Sequence, residues 1–226
     1  MVSRQFRGVA NILPGMRDIH LEGAMTNPTD NYEAALEKTP ECARRIGIIM
    51  GLFAMVEIHL VGMFRWIANM DPDPARIAME SHKHFSNKIV YLLAACDAKQ
   101  PHWERDVEAG KHFAAGLKLA NTIRNKYAHS KYGWTGEPGT EILFLSVFAE
   151  SIGGHQREEI ADIQILDPDI LFLKSLIAAM RHYCADREAG RPPDLSEIQQ
   201  AISMAQPKHL RPPRRSASAS RAAKQA

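Results

Sequence analysis

The chain has 226 residues, of which 45% are hydrophobic and 24% are charged, a composition typical of a soluble globular protein. Its 28 basic and 26 acidic residues give a net charge of +2, but six of the basic residues and no acid lie from Gln206 onward. The remainder carries a charge of about −4, which excludes general electrostatic attraction to nucleic acid and leaves any such function to a local site.

The first 40 residues predict an irregular N-terminal arm, because they mix Gly, Pro, Asn and Asp with few periodic apolar positions. They open with MVSRQFRGVANILPG, which lacks the long apolar segment of a signal peptide. The three cysteines, Cys42, Cys96 and Cys184, are far apart and form no CxxC or Cys/His cluster. Neither a disulfide framework nor a structural zinc site is expected, and the protein is expected to be cytoplasmic.

A long helix is predicted over residues 41–69, and DPDP at 71–74 ends it because proline cannot continue the backbone ladder. Its segment 46–64 approaches the length of a membrane-spanning helix, but Glu57 and His59 near its middle would be costly in lipid. We therefore predict a helix buried on most sides in a soluble helical domain, with no membrane. Glu57 has no basic residue at helical spacing, so it needs a partner on another helix, either in a structural ion pair or beside a functional side chain.

Three further long helices are predicted from apolar residues at spacings of three and four. They cover about 75–99, either as one helix or with a short helical lead-in, the stretch from Pro101 to near Gly133, and about 168–187. Proline suits the first position of a helix, and Asp167 or Asp169 can cap the last of the three.

The chain changes character between the third and fourth long helices. ILFLSVF at 142–148 and IADIQIL at 160–166 predict two strands joined around Gly153 and Gly154. A short fifth helix is expected after Pro193.

Together these elements predict a fold that is mainly all-α. It is an antiparallel helical bundle of four long helices, with a β-hairpin inserted between the third and the fourth. The helical domain is expected to span residues 41–205, with the hairpin near 141–166. Residues 206–226 have the composition of a disordered basic tail.

The stretch RNKYAH at 124–129 places an arginine and a histidine near the end of the third helix. A step of five residues on a continuous helix is about 140° of rotation, so the two side chains would not share a face. They converge only if the helix ends between them, and the glycine-rich stretch that begins at Gly133 favours such an ending, as does the short amide of Asn125. We therefore predict that the helix ends between Arg124 and Gly133.

A converged arginine and histidine form an acid–base site suited to a phosphodiester. The Arg124 guanidinium binds phosphate with two donors in a planar fork, and the His129 imidazole can accept or donate a proton near neutral pH. RNA carries its own nucleophile, the 2′-hydroxyl, so such a pair can cut RNA but not DNA without a metal ion. Neither a cofactor nor a metal is expected.

RNKYAH resembles the R-x4-6-H motif of the HEPN superfamily, in its common form with a polar residue directly after the arginine. The resemblance covers about residues 41–187 and implies a four-helix bundle with metal-independent endoribonuclease activity, as in toxin–antitoxin, phage-defence and RNA-processing systems. It assigns the catalytic roles to Arg124 and His129, with Asn125 as the polar orienting residue. It also implies RNA as the substrate, a homodimer with a composite site, and an antitoxin protein as a partner.

Lys126, Lys131 and Tyr132 lie in or just after the motif and are candidates for substrate binding. The basic residues also have a structural explanation, because cations near the C-terminus of a helix complement its dipole by about 0.3–1 kcal/mol each. In a subset of HEPN toxins, a tyrosine two residues after the motif histidine can be modified by a partner nucleotidyltransferase. In this chain Tyr132 lies three residues after His129. Regulation by modification of this tyrosine is therefore not expected.

Two other pairs also fit the R-x4-6-H spacing, Arg76 with His82 and Arg105 with His112. Arg76 is followed by an apolar residue, and Arg105 lies in the first turn of its helix, so neither matches the context of RNKYAH. The alternatives to a ribonuclease are a non-catalytic HEPN-like module that binds nucleotide, RNA or protein, and a helical interaction protein with no site. The histidine favours the ribonuclease, since a phosphate clamp needs only the arginine.

Overall fold

The structure, a computed structural model, describes residues 32–98, 104–135, 142–148, 156–160 and 163–204. The predicted arm at 1–31 and the basic tail at 206–226 lie outside these residues. The described chain is mainly helical, as predicted, and its helices are α1 (Tyr32–Lys38), α2 (Pro40–Ala68), α3 (Pro72–Glu80), α4 (Phe85–Asp97), α5 (Glu104–Ala128), α6 (Ile163–Glu188) and α7 (Leu195–Met204).

The last part of the predicted irregular arm is the helix α1, so that part of the prediction is wrong. Its sequence, YEAALEK, consists largely of strong helix formers, whose propensity outweighs the lack of a clear apolar period. The Thr39 hydroxyl donates a hydrogen bond to the Ala35 carbonyl oxygen at 2.8 Å. Pro40 then begins α2, at a position where the missing N–H of proline leaves no bond unmade.

The helix predicted over 75–99, with or without a short helical lead-in, is two helices, α3 and α4, separated by residues 81–84. The Ser81 hydroxyl donates to the Ala78 carbonyl oxygen at 2.7 Å and thereby competes with the helical ladder. His84 then has an extended backbone conformation, from which α4 begins at Phe85. The chain therefore changes direction twice between α2 and α4, at the ends of α2 and α3.

Because of this break, α2, α4 and α6 run in the same direction, which differs from the predicted antiparallel arrangement. The contacts between α2 and α4 advance together along both helices, from Phe53 with Phe85 to Phe64 with Tyr91. Those between α2 and α6 do the same, from Arg45 with Asp167 to Gly62 with Cys184. Of these four long helices, α5 runs opposite to α2, since its C-terminal part lies near Phe53 and its N-terminal part near Ile67.

The hydrophobic core lies between the long helices. Most of its buried residues belong to α2, α5 and α6. Its largest fully buried side chains include Phe64, Phe113, Tyr127, Phe172 and Tyr183. Burial of a large apolar side chain contributes about 1.5–3 kcal/mol, so this core carries much of the stability of the fold.

Gly110 on α5 is a point of close helix approach and carries the first stability prediction. A Cβ atom added there would lie 2.4 Å from the Cys96 Sγ atom of α4 and 3.1 Å from the Ile67 Cδ1 atom of α2. Gly110→Ala is expected to lower the free energy of unfolding by about 1–3 kcal/mol, the cost of overpacking a core. Urea unfolding followed by circular dichroism measures this change.

Gly47→Ala is the matched control, because no described atom lies within 4 Å of a Cβ atom added at Gly47. Both glycines are inside helices, so alanine should stabilise the control by about 0.5–1 kcal/mol through helix propensity. Equal effects of the two substitutions would contradict the packing seen at Gly110.

A small antiparallel sheet follows α5, with β1 (Lys131–Thr135), β2 (Ile142–Phe148) and β3 (Gln156–Ile160) in that order. The first predicted strand has the bounds of β2, but the second, at 160–166, is wrong because residues from 163 onward belong to α6. β1 occupies a stretch that the sequence assigned to the helix end and a loop. Tyr132, Trp134 and Thr135 favour extended backbone, and pairing with β2 outweighs Gly133.

The helix α6 begins at Ile163, five residues before its predicted start. Pro168 lies in its second turn, where proline removes one backbone hydrogen bond. Neither predicted cap is at the helix start. Asp167 instead accepts a hydrogen bond from the Arg45 Nε atom at 2.7 Å, and Asp169 accepts one from the Tyr127 hydroxyl at 2.6 Å.

Among the described residues, none covers one face of α2, so the prediction that this helix is buried on most sides does not hold for the described part of the chain. By length and composition the helix could cross a membrane, with a mean hydropathy of 2.0 over its most apolar window, and 33% of that window is buried. The polar residues in this window face other helices: Glu57 pairs with Lys88, and burial together with the charge of Arg181 lowers the pKa of His59.

Candidate active site

The C-terminus of α5 brings the motif arginine and histidine together. The helix ends at Ala128, between Arg124 and Gly133 as predicted, and the His129 N–H donates to the Asn125 carbonyl oxygen at 3.1 Å. β1 begins at Lys131, so the backbone at His129 no longer follows the α5 helix and does not fix the direction of the His129 side chain. The Arg124 Nη1 atom lies 3.1 Å from the His129 Nε2 atom. The two side chains therefore converge although a continuous helix would separate them.

Arg124 makes two contacts through one nitrogen. Its Nη1 atom donates to the Asn125 Oδ1 atom at 2.9 Å as well as approaching the His129 ring. A guanidinium has only donors, so a hydrogen bond at this contact requires the His129 Nε2 atom to be the acceptor. The Asn125 Oδ1 atom holds the same guanidinium nitrogen from its other side.

Phe53 of α2 lies on the buried side of the Arg124 guanidinium. The Arg124 Cζ atom lies 6.0 Å from the centre of the Phe53 ring, within the range of a cation–π contact. Phe53 is buried, Arg124 is half-buried, and Asn125 and His129 are exposed. The guanidinium is therefore held on its inner side and open to a solvent-borne anion on its outer side.

A buried hydrogen bond fixes the end of α5 against α6. The Tyr127 hydroxyl donates to the Asp169 Oδ2 atom at 2.6 Å, and both residues are buried. On the other side, the Tyr132 hydroxyl donates to the Tyr127 carbonyl oxygen, and the Ser130 hydroxyl donates to the Lys126 carbonyl oxygen. The two hydroxyl groups donate to carbonyl oxygens in the last turn of the helix and hold the backbone that carries His129.

Two of the three predicted substrate-binding residues, Lys126 and Tyr132, have polar groups that face the protein. Lys126 is 8% exposed, and its Nζ atom lies 5.5 Å from the centre of the Tyr127 ring. The Tyr132 hydroxyl is engaged with the helix backbone. Lys131 begins β1. Lys126 and Tyr132 therefore have structural roles here, because their polar groups face the protein rather than solvent.

Sequence reasoning missed Phe53 and Asp169 as parts of the site. Phe53 is one of many apolar residues in a long helix. Nothing in the sequence indicates its contact with Arg124, because the two residues belong to different helices. Asp169 was expected at a helix start, where its carboxylate would cap the backbone. A tyrosine in the apolar stripe of α5 was the one available signal, since a buried hydroxyl needs a hydrogen-bond partner.

The two other sequence matches have different surroundings. Arg76 donates to the Glu80 Oε2 atom at 2.9 Å, and the His82 ring lies 4.9 Å from that of Tyr91. The His112 Nε2 atom lies 2.7 Å from the Gln199 Nε2 atom. Three Arg–His pairs fit the R-x4-6-H spacing. Among the described residues, a contact between the two side chains is seen only for Arg124 and His129.

Glu57, the other functional candidate, has a structural partner. Its Oε1 atom accepts a hydrogen bond from the Lys88 Nζ atom at 3.0 Å, which links α2 to α4. Within the described ranges, no group of three His, Cys, Asp or Glu side chains is placed to hold a metal ion.

Comparison of the chain with family models, with curated proteins and with solved structures finds no match. The function is therefore inferred from the residues of the site.

Proposed function

We propose that the protein is a metal-independent endoribonuclease of the HEPN type that cuts single-stranded RNA. The observation that carries the proposal is the 3.1 Å contact between the Arg124 Nη1 and His129 Nε2 atoms at the end of α5. It supports the proposal because a guanidinium can bind phosphate and an imidazole can transfer a proton, and the two groups lie together at the end of one helix. The finer architecture that the family implies, a four-helix bundle, belongs to the same proposal.

The reaction begins when a phosphate of the RNA replaces the imidazole as the acceptor for Arg124. The guanidinium turns its donors to two phosphate oxygens, and the His129 Nε2 lone pair is released. That nitrogen takes the proton of the adjacent 2′-hydroxyl, and the 2′-oxygen attacks phosphorus. A bond forms between the 2′-oxygen and phosphorus, while the bond to the 5′-oxygen breaks. The products are a 2′,3′-cyclic phosphate and a 5′-hydroxyl.

Arg124 contributes most as negative charge builds up on the phosphoryl oxygens. Its planar fork binds the charged transition state more strongly than the ground state, which is the requirement for lowering the barrier. Asn125 keeps the fork in position through its 2.9 Å contact, and Phe53 limits its movement toward α2.

The departing 5′-oxygen needs a proton, which one imidazole cannot give while it is taking another. A two-fold homodimer supplies a second His129 and a second Arg124, so one copy can act as base and the other as acid. The proposal therefore includes a homodimer in the cytoplasm, and an antitoxin protein would act by covering this exposed site.

A cleavage assay tests the proposal. Purified protein is incubated with single-stranded RNA in EDTA, and the products are separated and their termini identified. We expect cutting that persists in the chelator and leaves 2′,3′-cyclic phosphate ends, because the nucleophile is internal to the RNA. The DNA strand of the same sequence should stay intact.

Two results would reject the proposal. Cutting that requires an added metal ion would reject the mechanism, and cutting of DNA would reject the 2′-hydroxyl as nucleophile. Binding of RNA without cutting would identify the non-catalytic module, in which Arg124 serves only as a phosphate clamp.

A further inference from the structure

Trp134 of β1 and Lys38 of α1 form an exposed pair of an aromatic ring and a cation. The Trp134 side chain is 38% exposed, and the Lys38 Nζ atom lies 5.8 Å from the centre of its ring. Leu143 lies directly opposite Trp134 in the sheet and is buried, so it packs beside the indole on the same face. An indole that is held on one side and open on another is a rigid surface on which a second flat ring can stack.

The Lys38 ammonium is available to an anion. Its side chain is exposed, and no carboxylate among the described residues forms an ion pair with it. A cation beside an aromatic ring is the combination that binds one nucleotide of a single strand, because the ring takes the base and the cation takes the phosphate. The pair therefore has the chemistry of a nucleotide-binding site.

The pair lies close to the proposed active site along the chain. Trp134 follows His129 by five residues, which corresponds to at most about 18 Å of extended backbone. Tyr132 lies on the same face of β1 as Trp134, because side chains alternate along a strand, and its hydroxyl donates to the Tyr127 carbonyl oxygen. This bond fixes that face of β1 against the end of α5. A few nucleotides of an extended single strand can therefore reach from His129 to Trp134.

The chain between the two sites suits a polyanion. No Asp or Glu occurs in the sequence between Glu108 and Glu137, so the end of α5 and the whole of β1 carry no carboxylate that would repel phosphates. Arg124 supplies a cation at one end of this path, and Lys38 supplies one at the other. Both the charge and the spacing favour a strand that continues from the cleavage site to the indole.

We propose that Trp134 and Lys38 form a second nucleotide-binding site for the RNA substrate, with a base stacked on the indole and a neighbouring phosphate at the ammonium. The inference rests on the proposed function for the nature of the strand, and it adds a contact away from the cleaved bond. Stacking accepts any base, since every base has a flat π-face, whereas a duplex keeps its bases inside. The site therefore selects single strands over duplexes.

Binding of a labelled oligouridylate tests the site, in the His129→Ala background so that the RNA stays intact. Trp134→Ala should raise the dissociation constant by about 5–100-fold, the usual effect of removing one stacked base. Trp134→Phe should keep most of the affinity, because it keeps a ring. Lys38→Ala should lower the slope of log affinity against log salt by about 0.7, the value for one phosphate contact on a single strand.

Tryptophan fluorescence reports the stacking directly. Oligouridylate should quench part of the fluorescence of the His129→Ala protein, and Trp134→Phe should remove that quenching while it keeps the affinity. Tyr91→Ala is the matched control, since Tyr91 is also 38% exposed but contacts Phe64, in the last turns of α2. It should leave both the affinity and the quenching unchanged. Circular dichroism of each variant confirms that it is folded.

Several results would overturn the site. An unchanged dissociation constant in a folded Trp134→Ala protein would do so, as would quenching that persists in Trp134→Phe or a failure of the parent protein to bind oligouridylate. The cleavage assay separates this proposal from the proposed function. If the wild type binds RNA through Trp134 without cutting it, the second site stands and the ribonuclease is rejected. If Trp134→Ala cuts RNA with the KM of the wild type, the ribonuclease stands and the second site is rejected.

Discussion

His129→Ala is expected to lower the rate of RNA cleavage by roughly 10²–10⁴-fold, the usual contribution of general acid–base catalysis. The substitution removes the nitrogen that accepts the 2′-hydroxyl proton. It should not unfold the protein, because His129 is exposed and follows the last residue of α5. Initial rates on a single-stranded RNA in EDTA, with circular dichroism of the same samples, measure both effects.

Arg124→Lys belongs in the same assay, because it separates charge from geometry. An ammonium keeps the positive charge but loses the planar fork, and it cannot both reach Asn125 and hold two phosphate oxygens. We therefore expect a loss of activity even though the net charge is unchanged. Activity near that of the wild type would mean that the site needs a cation but no oriented fork.

His82→Ala and His112→Ala are the matched controls, since each histidine belongs to a pair with the same sequence spacing. Neither histidine contacts the arginine of its pair among the described residues, so cleavage should be nearly unchanged. If one of them abolishes cleavage and His129→Ala does not, the wrong pair has been chosen.

The convergence of Arg124 and His129 could be predicted because it depends on local information. A helix that ends within a few residues of its last apolar position is indicated by the glycines that follow, and the geometry of a helix then decides which side chains can meet. The bounds of α2 were predicted for the same reason, since a proline marks each of its ends.

The position of the break between α3 and α4 could not be predicted, because it depends on tertiary packing. Residues 81–84, the polar run SHKH, contain no proline or glycine that would mark a helix boundary. The strand β1 is a similar case, since KYGWT is extended only because β2 lies beside it. Single-sequence patterns carry no information about such a partner.

The buried neighbours of the site were missed for a related reason. Phe53 and Asp169 lie 71 and 45 residues from Arg124 along the chain. Their contacts exist only because α2, α5 and α6 meet at this end of the fold. The chemistry of the site was local in sequence, whereas the support of the site was not.

The second large effect is expected at Asp106, where α5 begins. This carboxylate is 2% exposed, accepts a hydrogen bond from the Tyr183 hydroxyl at 2.8 Å, and lies 3.3 Å from the Arg187 Nε atom. Burial, reinforced by the negative charge of Asp106, raises the pKa of Tyr183, so its hydroxyl stays protonated and donates. The Arg187 guanidinium in turn lies 5.8 Å from the Trp66 ring, which ties α2, α5 and α6 together.

Asp106→Ala should lower the free energy of unfolding by about 3–5 kcal/mol, because it removes one partner of a buried ion pair and leaves the other charge in place. Asp97→Ala is the control. Its carboxylate pairs with Lys111 at 4.0 Å and is 73% exposed, so its loss should change stability by less than about 0.5 kcal/mol. Urea unfolding of both variants measures the difference, and equal effects would contradict the buried network.

The Asp106 variant also separates stability from catalysis. Residues 106 and 124 are 18 positions apart on one helix, which corresponds to about 27 Å along its axis. The loss of Asp106 therefore weakens the opposite end of α5, while Tyr127 and Asp169 still hold the end that carries the site. The cleavage rate per folded molecule should stay close to that of the wild type, in contrast to His129→Ala, which should lower the rate and leave stability nearly unchanged. A proportional loss of both in the Asp106 variant would mean that the site depends on the whole of α5 rather than on its C-terminal anchors.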